Sequence, residues 1–183
     1  MKRTFAIFFI FINLFCSAWA VQEAEVFQNV NFEARSEYVE KEFRENLSEL
    51  GNSVVYNRVP RGLVVSIDSK VFFNDFSSVL TCRGRQILGL VAYVLNKFEN
   101  NCTIESHSDG IFPTNSIYRE DWELSIKRAN VISEYLELCG RVKRERLYPV
   151  GFGSTMPFRE TVSREGFSDN RIDFVIFDYF IRR

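Results

Sequence analysis

Histidine is nearly absent: His107 alone serves a chain of 183 residues, and no metal-ligand spacing surrounds it. With Cys102 or Cys139 it could in principle assist a thiol nucleophile, but no third orienting group accompanies them. The sequence is therefore not expected to encode an enzyme, and it calls for no cofactor and no metal. An excess of base is missing too. The formal charge is −1 overall, and without Lys2 and Arg3 the balance moves further to the acidic side. A nucleic-acid partner, which would ask for a basic patch, is not expected. Gly151-Phe152-Gly153 is followed by no Lys-Ser/Thr and helix, so it is no phosphate loop. The apolar run near the start falls short of the roughly twenty residues of a full membrane span, and no acid occurs between Met1 and Val21.

What is present begins with that run. Lys2-Arg3, the apolar stretch Phe5 to Phe15 and the small-x-small triplet Ala18-Trp19-Ala20 read as a secretory signal, residues 1–20, with Val21 starting the mature chain. An uncleaved anchor and acylation at Cys16 are the alternatives, the second disfavoured by the bulky Phe15. Residues 21–52 form an N-terminal helical or linker segment in which positions 39, 43, 47 and 50 keep helical spacing, with a stop at Gly51. That segment either packs on the domain or mediates contact between two copies.

Residues 53–183 read as one domain. Ser53–Arg58 and Leu63–Ser69, separated by Val-Pro-Arg-Gly, suggest a hairpin. Arg83–Phe98 and Asp121–Cys139 are expected helices, and Cys102–Ser108, Arg146–Phe152 and Ile172–Phe180 expected strands. The order β-α-β-α-β-β predicts an α/β (α+β) two-layer sandwich, a mixed sheet with helices on one face. Three cysteines follow the signal, at 82, 102 and 139; a Cys102–Cys139 disulfide and separate thiols are both open.

The stretch Ser106 to Asn130 carries the most pointed chemistry. If Asp121 caps the second helix, Leu124, Val131, Ile132, Tyr135 and Cys139 share one side, with Arg128 in its middle. A guanidinium on a core-facing stripe needs a carboxylate, because burying an unpaired charge costs several kcal/mol. That carboxylate is either internal, Asp109 or Asp121, or belongs to a ligand. In the second case Asp109 and Arg128 would grip a zwitterion, taking its ammonium and its carboxylate respectively.

The motifs SHSD (106–109), DWELSIKRA (121–129), RLYPVGFGSTMPF (146–158) and REGFSDNRIDFVI (164–176), with RGLVVSIDSKVFF (61–73) upstream, together resemble the peptidoglycan-binding domain of the OmpA, Pal and MotB family, in wording most like the MotB branch. The likeness spans about Arg61 to Phe180. It implies the OmpA-like fold and non-catalytic, non-covalent binding of the peptidoglycan stem peptide, whose diaminopimelate carries both an ammonium and a carboxylate. Carried over by motif, Asp109 would take the ammonium and Arg128 the carboxylate. Arg171 would be a second anion contact, and Ser108 and Asp121 would line the same region. Here Asp121 stands where relatives have Asn, Arg171 where they have two arginines, and Phe76 where a small polar residue or glycine is usual. The expected place is the periplasm, at the cell wall or outer membrane. A different reading is an envelope or flagellar-motor-associated scaffold that uses the fold to hold an envelope protein partner.

Overall fold

The computed structural model describes residues 36–111, 113, 118–158 and 167–178; the signal expected at residues 1–20 and Cys16 lie outside these. In chain order the elements are α1 (residues 36–46), β1 (Val54–Val59), β2 (Gly62–Asp68), α2 (Cys82–Lys97), β3 (Cys102–His107), α3 (Asp121–Leu138), β4 (Leu147–Gly153) and β5 (Arg171–Phe177). From β2 onward this is the β-α-β-α-β-β order expected. The five strands form one mixed sheet in the order β1-β2-β5-β3-β4, antiparallel except for the parallel pair β3 and β4.

The alternation of each strand decides what the two faces do. Leu63, Val65 and Ile67 of β2, Cys102 and Ile104 of β3, and Ile172, Phe174 and Ile176 of β5 share one core with Ile87, Leu88, Val91, Val94 and Leu95 of α2 and Ala129, Ile132 and Leu136 of α3. Thr81 starts α2 by accepting a hydrogen bond from Gly84 N at 2.9 Å. Helix α1 joins the same core through Val39 and Phe43, followed by Leu47. Fully burying side chains such as Phe43 and Leu47 contributes about 1.5–3 kcal/mol each.

Two glycines set how closely layers and strands meet. The β1–β2 turn is Pro60-Arg61, as Val59 pairs with Gly62. Gly62 has φ +142°, and a Cβ there would fall 2.0 Å from Ile176 O on the adjoining strand. Gly151 lets α3 lie directly on β4, since a Cβ there would meet Ile126 N at 2.3 Å.

Two expectations are corrected in detail, and the open question of the cysteines is decided. The α-helical part of the N-terminal segment ends at residue 46 and continues as 3-10 turns, Ser48–Ser53, with Gly51 at φ 51° inside them. Cys139 sits exposed at the end of α3 while Cys102 is buried in the core, so Cys82, Cys102 and Cys139 are all free thiols. The N-cap of α3 is Glu120 in extended conformation, and Asp121 is the first helical residue. Its carboxylate still benefits from the positive end of the helix dipole.

Candidate functional site

The site is assembled where β3, β4 and α3 meet. At the end of β3 the register slips between Ser106 and His107, and Ser108 N then donates to Gly153 O at 2.9 Å. Asp121 ties these ends together: its Oδ2 accepts from Ser108 Oγ at 2.8 Å and from Ser154 N at 2.8 Å. Burial alone would raise the Asp121 carboxyl, but the bonds from Ser108 and Ser154 outweigh it and hold the group below the usual carboxylate range. Asp121 is thus a brace of the site wall and not the partner of Arg128.

Arg128, two turns into α3, is buried at 5% exposure. Its Nε donates to Ser77 O at 2.8 Å and its Nη2 to Asn74 O at 3.3 Å, and its guanidinium lies 5.1 Å from the centre of the Phe73 ring. Both carbonyls belong to the loop after β2, turned by the Ser77 N to Asn74 O bond with Phe76 at φ 56°. Phe76 thus takes the left-handed backbone conformation that favours glycine. Burial pulls the Arg128 guanidinium below its usual value, while Asp75, Tyr118 and Asp109 pull it back up. Among the described residues no carboxylate comes within ion-pair distance of it. The internal salt bridge that the sequence left open is therefore not made; backbone carbonyls and an aromatic face hold the charge instead.

Arg128, Asp109, Ser108 and Asp121 all line one cavity of about 210 Å³, together with Ser69, Lys70, Asp75, Phe76, Ile111, Leu124 and Asn170. Asp109 is exposed but fixed: Oδ1 accepts from Ile111 N at 3.0 Å and Oδ2 from Asn170 Nδ2 at 2.5 Å. A carboxylate oriented from below and a guanidinium oriented from behind can hold the two ends of a zwitterion. Asp75, Lys70, Ile111 and Asn170 were not anticipated. Asn170 stood in plain view, next to Arg171 in the DNRID motif, whereas a loop residue such as Asp75 carries no periodic signal.

Arg171 is the exception among the expected site residues. Its side chain is not part of the cavity lining. It turns to the sheet face opposite the helices, where Nε donates to Asp173 Oδ2 at 3.0 Å, Nη2 to Met156 O at 3.2 Å, and the guanidinium lies 5.2 Å from the Phe158 ring centre. The strand alternation explains this: in β5 Arg171 and Asp173 point away from the core residues Ile172 and Phe174.

On that face Asp173 pairs across the sheet with Ser66 of β2 and Glu105 of β3. His107 Nε2 lies 3.3 Å from Asp173 Oδ2 and 3.9 Å from Glu105 Oε2, and its ring stacks on Phe152. Arg61 approaches Glu105 at 3.6 Å from the rim. Burial pushes the Glu105 carboxyl up, with Asp173 adding to it. Burial would raise Asp173 as well, but His107 and Arg171 outweigh it and bring that group down. The arrangement is a buried charge network joining β3 and β5.

Known proteins share this fold. The family model described as "OmpA family" matches residues 72–171. The YtxE protein of Bacillus subtilis (strain 168) is 26% identical over 114 residues, covering 62% of this chain; the chain spans about half of that relative's length, the match taking in 47% of it. Three solved structures are similar in fold. A MotB-like protein from Desulfovibrio vulgaris has a TM-score of 0.71 at 21% identity, covering 82% of this chain and 98% of its own. The cell wall anchor of the T6SS from Pseudomonas aeruginosa has 0.63 at 23%, covering 74% and 96%. The periplasmic domain of Helicobacter pylori MotB has 0.63 at 19%, covering 73% and 85%.

Proposed function

The chain belongs to the OmpA family, and from that premise we propose that it binds peptidoglycan non-covalently, through the diaminopimelate of the stem peptide, and so attaches to the cell wall on the outer side of the cytoplasmic membrane. The family is one of generally non-catalytic binding domains, and the reading assigns this chain no reaction. The observation that carries it is Arg128: a buried guanidinium, unpaired by any described carboxylate, that shares a cavity with the fixed carboxylate of Asp109. In the complex Asp109 takes the ammonium and Arg128 the carboxylate. Ser108 and Asp121 keep the wall in place. Arg171 acts indirectly: it anchors the start of β5, beside the Asn170 that orients Asp109.

The sequence signals for export, Lys2 to Ala20, support a periplasmic location at the wall or outer membrane, and among the described residues no helix is long and apolar enough to cross a membrane. A second reading, docking of an envelope protein, draws support from Phe76 and Ile111, two large exposed apolar side chains on the cavity. Calorimetric titration with a diaminopimelate-containing tripeptide separates the two. The wall reading expects saturable binding that Asp109→Asn weakens by roughly 10-fold or more, as suits loss of a charged hydrogen bond. Folded protein that gives no heat with the tripeptide would favour the scaffold.

A further inference from the structure

The cavity holds more acid than one ligand ammonium requires. Its charged lining is Lys70 and Arg128 against Asp75, Asp109 and Asp121, a balance of one negative charge. Asp121 is committed to Ser108 and Ser154. Asp75 is committed to nothing comparable: it is exposed, forms no ion pair with a described base, and exerts the largest opposing pull on the desolvated Arg128 charge. It sits in the Asn74–Ser77 turn whose carbonyls hold Arg128, so its position is set by the same turn that sets the guanidinium.

We infer that Asp75 is a second carboxylate for the ligand's ammonium, and that it lets the site accept diaminopimelate whose free carboxyl is amidated at least as well as the free zwitterion. This rests on the wall-binding reading above. Charge balance carries the argument. A zwitterion adds no net charge and leaves the cavity one negative charge in excess, whereas an amidated side chain brings a single ammonium and neutralises it. Arg128 can donate to an amide oxygen as well as to a carboxylate. Nε and Nη2 already serve Ser77 O and Asn74 O, and Asp75 and Asp109 offset its charge, so an amide oxygen is sufficient for its remaining N–H groups. The ammonium then sets the preference between ligands, while Arg128 still donates to the oxygen at the other end, whether of a carboxylate or of an amide.

Three tripeptides identical except at this side chain test it at pH 7.5: free, amidated at the carboxyl, and acetylated at the amine. Calorimetry with the wild type is expected to give the amidated peptide an affinity within about 3-fold of the free one, or tighter, and acetylation a loss of at least roughly 30-fold, the scale of losing charged hydrogen bonds. Asp75→Asn, on an exposed turn, is expected to weaken the amidated peptide by about 10-fold and the free one by less, so that the preference swings to the free acid. A wild type that prefers the free acid by more than about 10-fold, or an Asp75→Asn protein that binds both as the wild type does, overturns the inference while leaving wall binding intact. A folded wild type that binds neither peptide sinks wall binding itself.

Discussion

Asp173→Asn removes one member of the buried pair on the sheet face opposite the helices, and the structure sets the size of the effect. Arg171 and Asp173 are 5% and 6% exposed and bond at 3.0 Å. Taking away one partner of a buried ion pair costs about 3–5 kcal/mol, because the other charge is left in the interior. Arg171 would keep Met156 O at 3.2 Å and a distant Asp169 Oδ1 at 3.9 Å, so the lower end, about 3 kcal/mol at pH 7, is expected. The pH dependence gives the effect a signature. The folded state holds Asp173 below its ordinary value, so its contribution is fully present above the unfolded carboxylate range and is lost as pH falls through the folded value. Urea melts of both proteins should therefore show a gap near 3 kcal/mol at pH 7 that narrows on acidification. Replacing both members together, Arg171→Met with Asp173→Leu, should recover much of the loss. A gap under about 1 kcal/mol, or one that ignores pH, would refute the claim that this pair is buried and mutually compensating.

Other consequences can be measured alongside. Glu105 has the opposite sign: burial raises its carboxyl, so its ionised form burdens the fold once pH rises through the folded value. Glu105→Gln should thus raise the melting temperature most at alkaline pH and least near pH 4, and a uniform shift would speak against it. Gly151→Ala should lower stability by about 1–3 kcal/mol, the range for overpacking, because its Cβ would strike the backbone of α3 at Ile126; an unchanged denaturation midpoint would contradict the close approach. Cys102, buried with its thiol pushed up to about 12, should resist a thiol reagent until the protein unfolds, whereas exposed Cys82 and Cys139 should label at once.

The fold was legible because its signals are local and repeated. The apolar spacing of α2 and the alternation of β2, β3 and β5 both report which face is buried; β1 to β4, with α2 and α3 between them, lie within a residue of their expected spans, whereas β5 ends at Phe177, three residues before the expected Phe180. The co-location of Asp109, Ser108, Asp121 and Arg128 was legible from ordered motifs, one at a strand end and one at a helix start. Two kinds of information were not. Backbone carbonyls leave no mark in a sequence, so Asn74 O and Ser77 O, which stand in for the expected carboxylate partner of Arg128, had no signal. A motif carries no sign of which side of the sheet its residues face: the register of β5 sets Arg171 one step from the core residue Ile172, on the other side, and its side chain does not line the cavity.

Co-sedimentation with purified diaminopimelate-type sacculi tests the central claim most directly, using the wild type, Asp109→Ala and Arg128→Ala with folding followed by circular dichroism. The account predicts that the wild type pellets with the wall and that both folded variants stay in the supernatant. A folded wild type that remains in the supernatant, or variants that pellet as it does, would contradict it.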